Sequence, residues 1–157
     1  MIYLDFDTCL VIKEQYGYVP LKIVRLLAKI QYINIDGSKS KVYKPIVDTG
    51  AHTSILSARI WQNIKFEIKT ENAWLSGIND HEECRIEAMI ANVEGILSDD
   101  IGNCTKPLKF LAFLAKTDRV PLLIGVAGIL EKYHLYWDYQ NNITYLQKKK
   151  KKRLKID

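Results

Sequence analysis

The residues best suited to chemistry in this chain lie in the stretch 45–56, PIVDTGAHTSIL. Asp48 supplies a carboxylate, the kind of group that serves as a general acid or base. Apolar Ile46 and Val47 lead into it, and apolar Ile55 and Leu56 lead away, so the carboxylate is expected at the tip of a buried strand. Gly50 lets the backbone turn tightly and approach a ligand with no Cβ in the way. Thr49 brings a hydroxyl that can hold neighbouring groups in register, and small Ala51 leaves space beside the carboxylate. Asp-Thr-Gly taken alone also occurs in ordinary turns, so the motif needs support from the rest of the chain.

Other chemistries find less support. Ser54 and Ser57 sit in no Gly-x-Ser-x-Gly elbow, which argues against a serine hydrolase. His81 and His134 are scattered without ligand spacing, which argues against a zinc site. Cys9, Cys84 and Cys104 are odd in number and form no Cys-x-x-Cys pair; they read as reduced structural thiols of a cytoplasmic protein. Among the remaining acids, Asp5-Phe6-Asp7-Thr8-Cys9 lacks the glycine. Asp99-Asp100 falls in a polar loop, and Asp138 lies beside a turn. Trp61, Trp74 and Trp137 read as core or interface residues rather than stacking platforms.

The elements that must position Asp48 are mostly strands. The segment 30–35 (IQYINI), the turn Asp36-Gly37-Ser38 and the segment 41–47 (KVYKPIV) predict one hairpin. Segments 73–78 and 84–90 predict a second around Asn79-Asp80-His81, with Cys84, Ile86, Ala88 and Ile90 on one face. Short apolar runs at 108–115 and 122–124 suit buried strands. Segments 135–139 and 143–146 bracket Gln140-Asn141-Asn142, a tight turn because Asn tolerates positive φ. Two short helices are expected, at 57–64 with Ser57 as N-cap and at about 126–133. Residues 21–28 fit a strand as well as an amphipathic helix.

The bulk properties agree with one globular domain: 157 residues, 48% hydrophobic and 26% charged. No stretch resembles a transmembrane span, and the N-terminus has no basic n-region of a signal peptide. The net charge of +5 comes from the C-terminus, since residues 148–157 hold seven of the 23 basic residues and one of the 18 acids. The remaining 16 bases and 17 acids nearly balance. Every residue from Lys148 to Arg153 is basic, a run that reads either as a solvated tail or as a contact for nucleic acid or an anionic surface. The absence of a second basic patch interleaved with aromatics argues against a dedicated nucleic-acid module.

Asp48-Thr49-Gly50-Ala51, followed by Thr53-Ser54-Ile55-Leu56, resembles the active-site loop of retropepsin-like aspartic peptidases. The run Leu122-Leu123-Ile124-Gly125 resembles the family's second signature, apolar residues ending in glycine just before a helix. The hairpin around Gly77 stands where the family carries its flap, and 135–146 (LYWDYQNNITYL) resembles its last strand pair. The resemblance covers about residues 30–147. It implies a mainly β acid protease fold, a closed retropepsin-like barrel with one or two short helices. In chain order this would be an N-terminal extension over 1–28, a peptidase domain over 29–147 and a basic tail over 148–157.

The resemblance further implies an endopeptidase in which Asp48 is catalytic. Thr49, Gly50, Ala51 and Gly125 would support it, with Gly77, Ile78 and His52 at the substrate. No metal or cofactor is implied. Such enzymes need two carboxylates that share a proton, and this chain offers one suitable Asp, so a homodimer with Asp48 at a two-fold axis is expected. Three departures stand out. Val126-Ala127-Gly128 follows Gly125 where many relatives carry a polar residue and then a bulky apolar one. The flap has a single glycine. His52 replaces an acid of the retroviral enzymes and reads either as a substrate contact or as a solvated loop residue. A catalytically silent retropepsin-like module for binding or dimerisation is the alternative, because fold does not guarantee chemistry.

Overall fold

The structure, a computed structural model, describes residues 1–12, 20–76 and 85–150. It is mainly β. In chain order the strands are β1 (Ile2–Tyr3), β2 (Asp5–Ile12), β3 (Pro20–Leu27), β4 (Lys29–Tyr32), β5 (Ile46–Val47) and β6 (Ser54–Leu56). Helix α1 (Ala58–Trp61) follows, and then β7 (Phe66–Leu75), β8 (Ile86–Ser98), β9 (Leu108–Ala115) and β10 (Leu123–Ile124). A 3-10 turn at Leu130–Lys132 leads into β11 (Tyr133–Asp138) and β12 (Ile143–Lys148).

Nine strands form one sheet in the order β2-β3-β5-β10-β6-β9-β8-β4, with β7 also on β8; β1-β12-β11 form a second. The ladders among the described residues run as an open series, so the expected closed barrel is not formed by ladder pairing. The isolated bridge Ile30–Tyr43 and the bonds from Ala28 N–H to Pro45 O (3.0 Å) and from Ser40 N–H to Tyr32 O (2.8 Å) join the end strand β4 and its approach to the chain leading into β5. The described residues of the segment 1–28 contribute β1, β2 and β3, and residues 21–27 lie in β3 rather than in a helix. Strand β2 pairs antiparallel with β3, whose Leu27 meets Ile46 of β5.

The first expected hairpin is present. Gly37 takes φ +83° and the Asp36 carboxylate accepts the Ser38 backbone N–H at 2.9 Å, which closes the turn that the Asp-Gly-Ser sequence encodes. The second hairpin is longer than its alternation suggested, spanning β7 and β8; its turn at 79–81 lies outside the described residues. Beyond Ile90, β8 enters the core. Buried residues then come from both faces (Ala91, Val93, Ile96, Leu97), a pattern that alternation cannot reveal. Strand β9 occupies the expected residues, and Asn142 does adopt positive φ, at 55°.

Both helices fall short of expectation. Helix α1 ends at Trp61 because the chain is drawn into sheet-like bonds: Asn34 bridges Ile64, and Lys65 N–H donates to Ile33 O at 2.8 Å. Ser57 stands at the N-cap with φ −76° and ψ 160°, yet its hydroxyl makes no capping bond. The helix expected at 126–133 is replaced by turns and the 3-10 segment. Gly128 has φ +78°, and a Cβ there would lie 2.6 Å from Phe110 Cβ, so this position packs as a turn against β9. Ile30, Tyr32, Leu56, Leu97, Leu114, Ile124, Ile129 and Leu146 anchor the core, each essentially inaccessible.

Candidate active site

Asp48 stands one residue beyond β5, and its placement follows from β10. Strand β10 inserts between β5, which delivers the chain to Asp48, and β6, which carries it away. It pairs parallel with the first (Leu123–Ile46, Ile124–Val47) and antiparallel with the second (Leu123–Ile55). Ile46 N–H donates to Leu122 O and Asp48 N–H to Ile124 O, each at 3.0 Å. Buried Val47 and Ile124 keep this junction dry, and fully burying a side chain of that size is worth about 1.5–3 kcal/mol. The carboxylate is thereby fixed at the end of a paired strand while remaining half-exposed.

The loop is then stitched shut. Asp48 Oδ1 accepts the Gly50 N–H at 2.9 Å, and Ala51 N–H donates to Asp48 O at 3.4 Å. The segment after β10 clasps the far side: Val126 N–H donates to Ala51 O at 2.9 Å, and Ala127 N–H to His52 O at 2.8 Å. Gly125 lies buried between these bonds. A Cβ there would approach Thr53 C at 2.6 Å, Thr53 O at 2.7 Å and Ala51 O at 2.8 Å, all backbone atoms, so only glycine fits. Its N–H donates to the Ser54 hydroxyl at 3.1 Å.

The chain is similar in structure to a retropepsin-like aspartic protease from Rickettsia conorii. The two share 16% sequence identity over 94% of this chain and 98% of that chain, with a TM-score of 0.46. No family model matches the sequence. No curated protein matches it either.

Of the residues singled out by type and spacing, the structure gathers Asp48, Thr49, Gly50, Ala51, His52 and Gly125 at one loop cluster, with Thr49, Gly50 and His52 exposed. Gly77 and Ile78 lie outside the described residues. Ser54, to which the residue pattern assigns no role of its own, serves the fold as a support, with 1% exposure and its oxygen on the Gly125 N–H. A small polar residue immediately before the apolar pair Ile55-Leu56 was the available signal. Among the described residues no group of three His, Cys, Asp or Glu side chains could hold a metal ion, and no helix is long and apolar enough to cross a membrane. Cys9 and Cys104 are free thiols. Trp61 packs against the core and donates its ring N–H to Ala115 O at 2.7 Å, whereas Trp74 and Trp137 are largely exposed.

Proposed function

We propose that this chain is one half of an aspartic endopeptidase, completed when Asp48 of two identical copies meet across a two-fold axis. The supporting observation is the Asp48 loop. Its carboxylate is oriented by the Gly50 N–H at 2.9 Å, and its backbone is clamped on both flanks by β10 and the Gly125 segment. A loop held this firmly can bring two like charges together without relaxing away from the repulsion.

In the pair, two carboxylates about 3 Å apart cannot both ionise easily, so they share one proton. The charged member takes a proton from the attacking water while the protonated member polarises the scissile carbonyl. The titration belongs to the pair rather than to either residue. Thr49 of each copy braces the partner loop by crossed hydrogen bonds. Gly50 with Gly77 offers backbone groups to an extended peptide, which lies as an added strand beneath the hairpin tip, with Ile78 and His52 beside it. The reaction needs no metal or cofactor. In the same reading the open ladder series curls toward a barrel, with the Ile30–Tyr43 bridge as its seam. Residues 29–147 are then the peptidase domain, and 1–28 add strands to its flank.

The test is peptide cleavage measured against pH on a broad peptide library, for the wild type and Asp48→Asn, with and without a pepstatin-type transition-state mimic. Expected are a bell-shaped profile, inhibition by the mimic, and loss of cleavage in Asp48→Asn at unchanged melting temperature. Equal inertness of both proteins would leave the fold as a binding or dimerisation module.

A further inference from the structure

A concave site is lined where the chain approaches β5 and where it leaves β6, by residues that flank the Asp48 loop in sequence. The cavity measures about 480 Å³, within the range that accommodates a small organic ligand. Three cations line it, Lys41, Lys44 and Arg59, and its apolar wall is built from Ile60, Val120 and Leu122. Lys44 is partly committed, with its Nζ 3.5 Å from the Asp5 carboxylate. Lys41 Nζ stands 5.3 Å from the centroid of the Tyr43 ring, another lining residue. Among the described residues the Arg59 guanidinium makes no ion pair. The nearby Asp118 carboxylate accepts the Arg59 backbone N–H at 2.8 Å and is not part of the lining.

The feature that points to a ligand is Ser57. It lines this cavity with 2% exposure, and its hydroxyl is the buried side-chain polar atom without a hydrogen-bond partner among the described residues. It sits at the N-cap of α1 and does not cap it. A buried hydroxyl without a partner is costly, and a bound molecule that accepts from it would relieve that cost. A hydroxyl donor, two cations free of ion pairs among the described residues and an apolar wall suit a dianionic head on an apolar body. A phosphate monoester has that charge near neutral pH, with three acceptor oxygens.

We propose that this cavity binds the phosphoryl group of an organic phosphate monoester, with Lys41 and Arg59 on the phosphoryl oxygens, Ser57 donating to one of them, and the organic portion against Ile60, Val120 and Leu122. The site is independent of the hydrolytic reading, since it uses none of the residues of the Asp48 loop.

The experiment is calorimetric titration of the full chain with phenyl phosphate up to about 10 mM, beside inorganic phosphate and benzyl alcohol. Saturable binding of phenyl phosphate is expected, with inorganic phosphate weaker and benzyl alcohol not measurable. Lys41→Ala/Arg59→Ala should weaken phenyl phosphate binding about tenfold or more, and Ser57→Ala about fivefold. Lys41 and Arg59 are exposed, and each single variant reads the same loss should the double variant fail to fold. Ser57→Ala should also melt no lower than wild type in the absence of ligand, a result that separates lost binding from lost structure. Absence of saturable binding to the wild type, or undiminished binding by the variants, overturns the proposal. Equal affinity for inorganic and phenyl phosphate overturns the assignment to an organic monoester.

Discussion

Gly125 and Ser54 hold the Asp48 loop together one atom at a time. Because a Cβ at Gly125 would meet three backbone atoms within 2.8 Å, Gly125→Ala must push β10 away from residues 51–53. Overpacking of this kind costs about 1–3 kcal/mol or more, read as a lower urea midpoint with unchanged slope. Ser54→Ala leaves the buried Gly125 N–H without its acceptor and should cost about 1–3 kcal/mol in the same measurement. Under the hydrolytic reading both also lower cleavage, whereas Asp48→Asn removes cleavage and leaves the midpoint nearly unchanged. At this scale Asp48 was legible because a carboxylate is a property of the residue itself, whereas the reason only glycine fits at 125 is the distant backbone of Ala51 and Thr53. Ser54 was not legible, since the value of its hydroxyl depends on a backbone amide 71 residues away.

The hairpins show a similar division among the elements. The turns at 36–38 and 139–142 could be anticipated because they are closed by their own residues. Asp138 accepts Asn141 N–H at 3.1 Å and Asn141 Nδ2 at 2.8 Å, and Asn142 takes the left-handed conformation. Gly37→Ala, which forces a Cβ onto φ +83°, should cost about 1–2 kcal/mol. Asn142→Gly should be tolerated, since glycine adopts φ 55° without strain; thermal melting distinguishes the two. The helix expected at 126–133 failed for a non-local reason. Gly128 takes φ +78° and packs against Phe110 of β9, so the chain leaves the helical conformation at the third residue of the segment.

Across the whole molecule, acid stability should follow the carboxylates that are bound in the folded state. Lys69 and Lys109, with help from Asn92, hold Glu67 down to about 2 from its ordinary 4.5. The Ser38 hydroxyl lowers Asp36, and the Asn141 side chain lowers Asp138. A group whose folded pKa is depressed contributes stability above its unfolded value and loses that contribution as pH falls through the folded one. The urea midpoint should therefore decline as the pH drops from about 4.5 toward 2, and Glu67→Gln should flatten that decline. Between neutral pH and 5 these groups should leave the midpoint level.

The amino-acid sequence by itself determined the strand-rich character, the turn residues and the one loop whose residue types could do acid–base chemistry. Those follow from alternation, from local hydrogen bonding and from the presence or absence of a Cβ, all properties of neighbouring residues. Tertiary structure alone decided that β10 threads between β5 and β6, that β2 and β3 join the same sheet, that Ser54 is a support, and that Ser57 faces a basic cavity. Each depends on segments far apart in the chain meeting in a shared core, where burial and backbone pairing outweigh local preference.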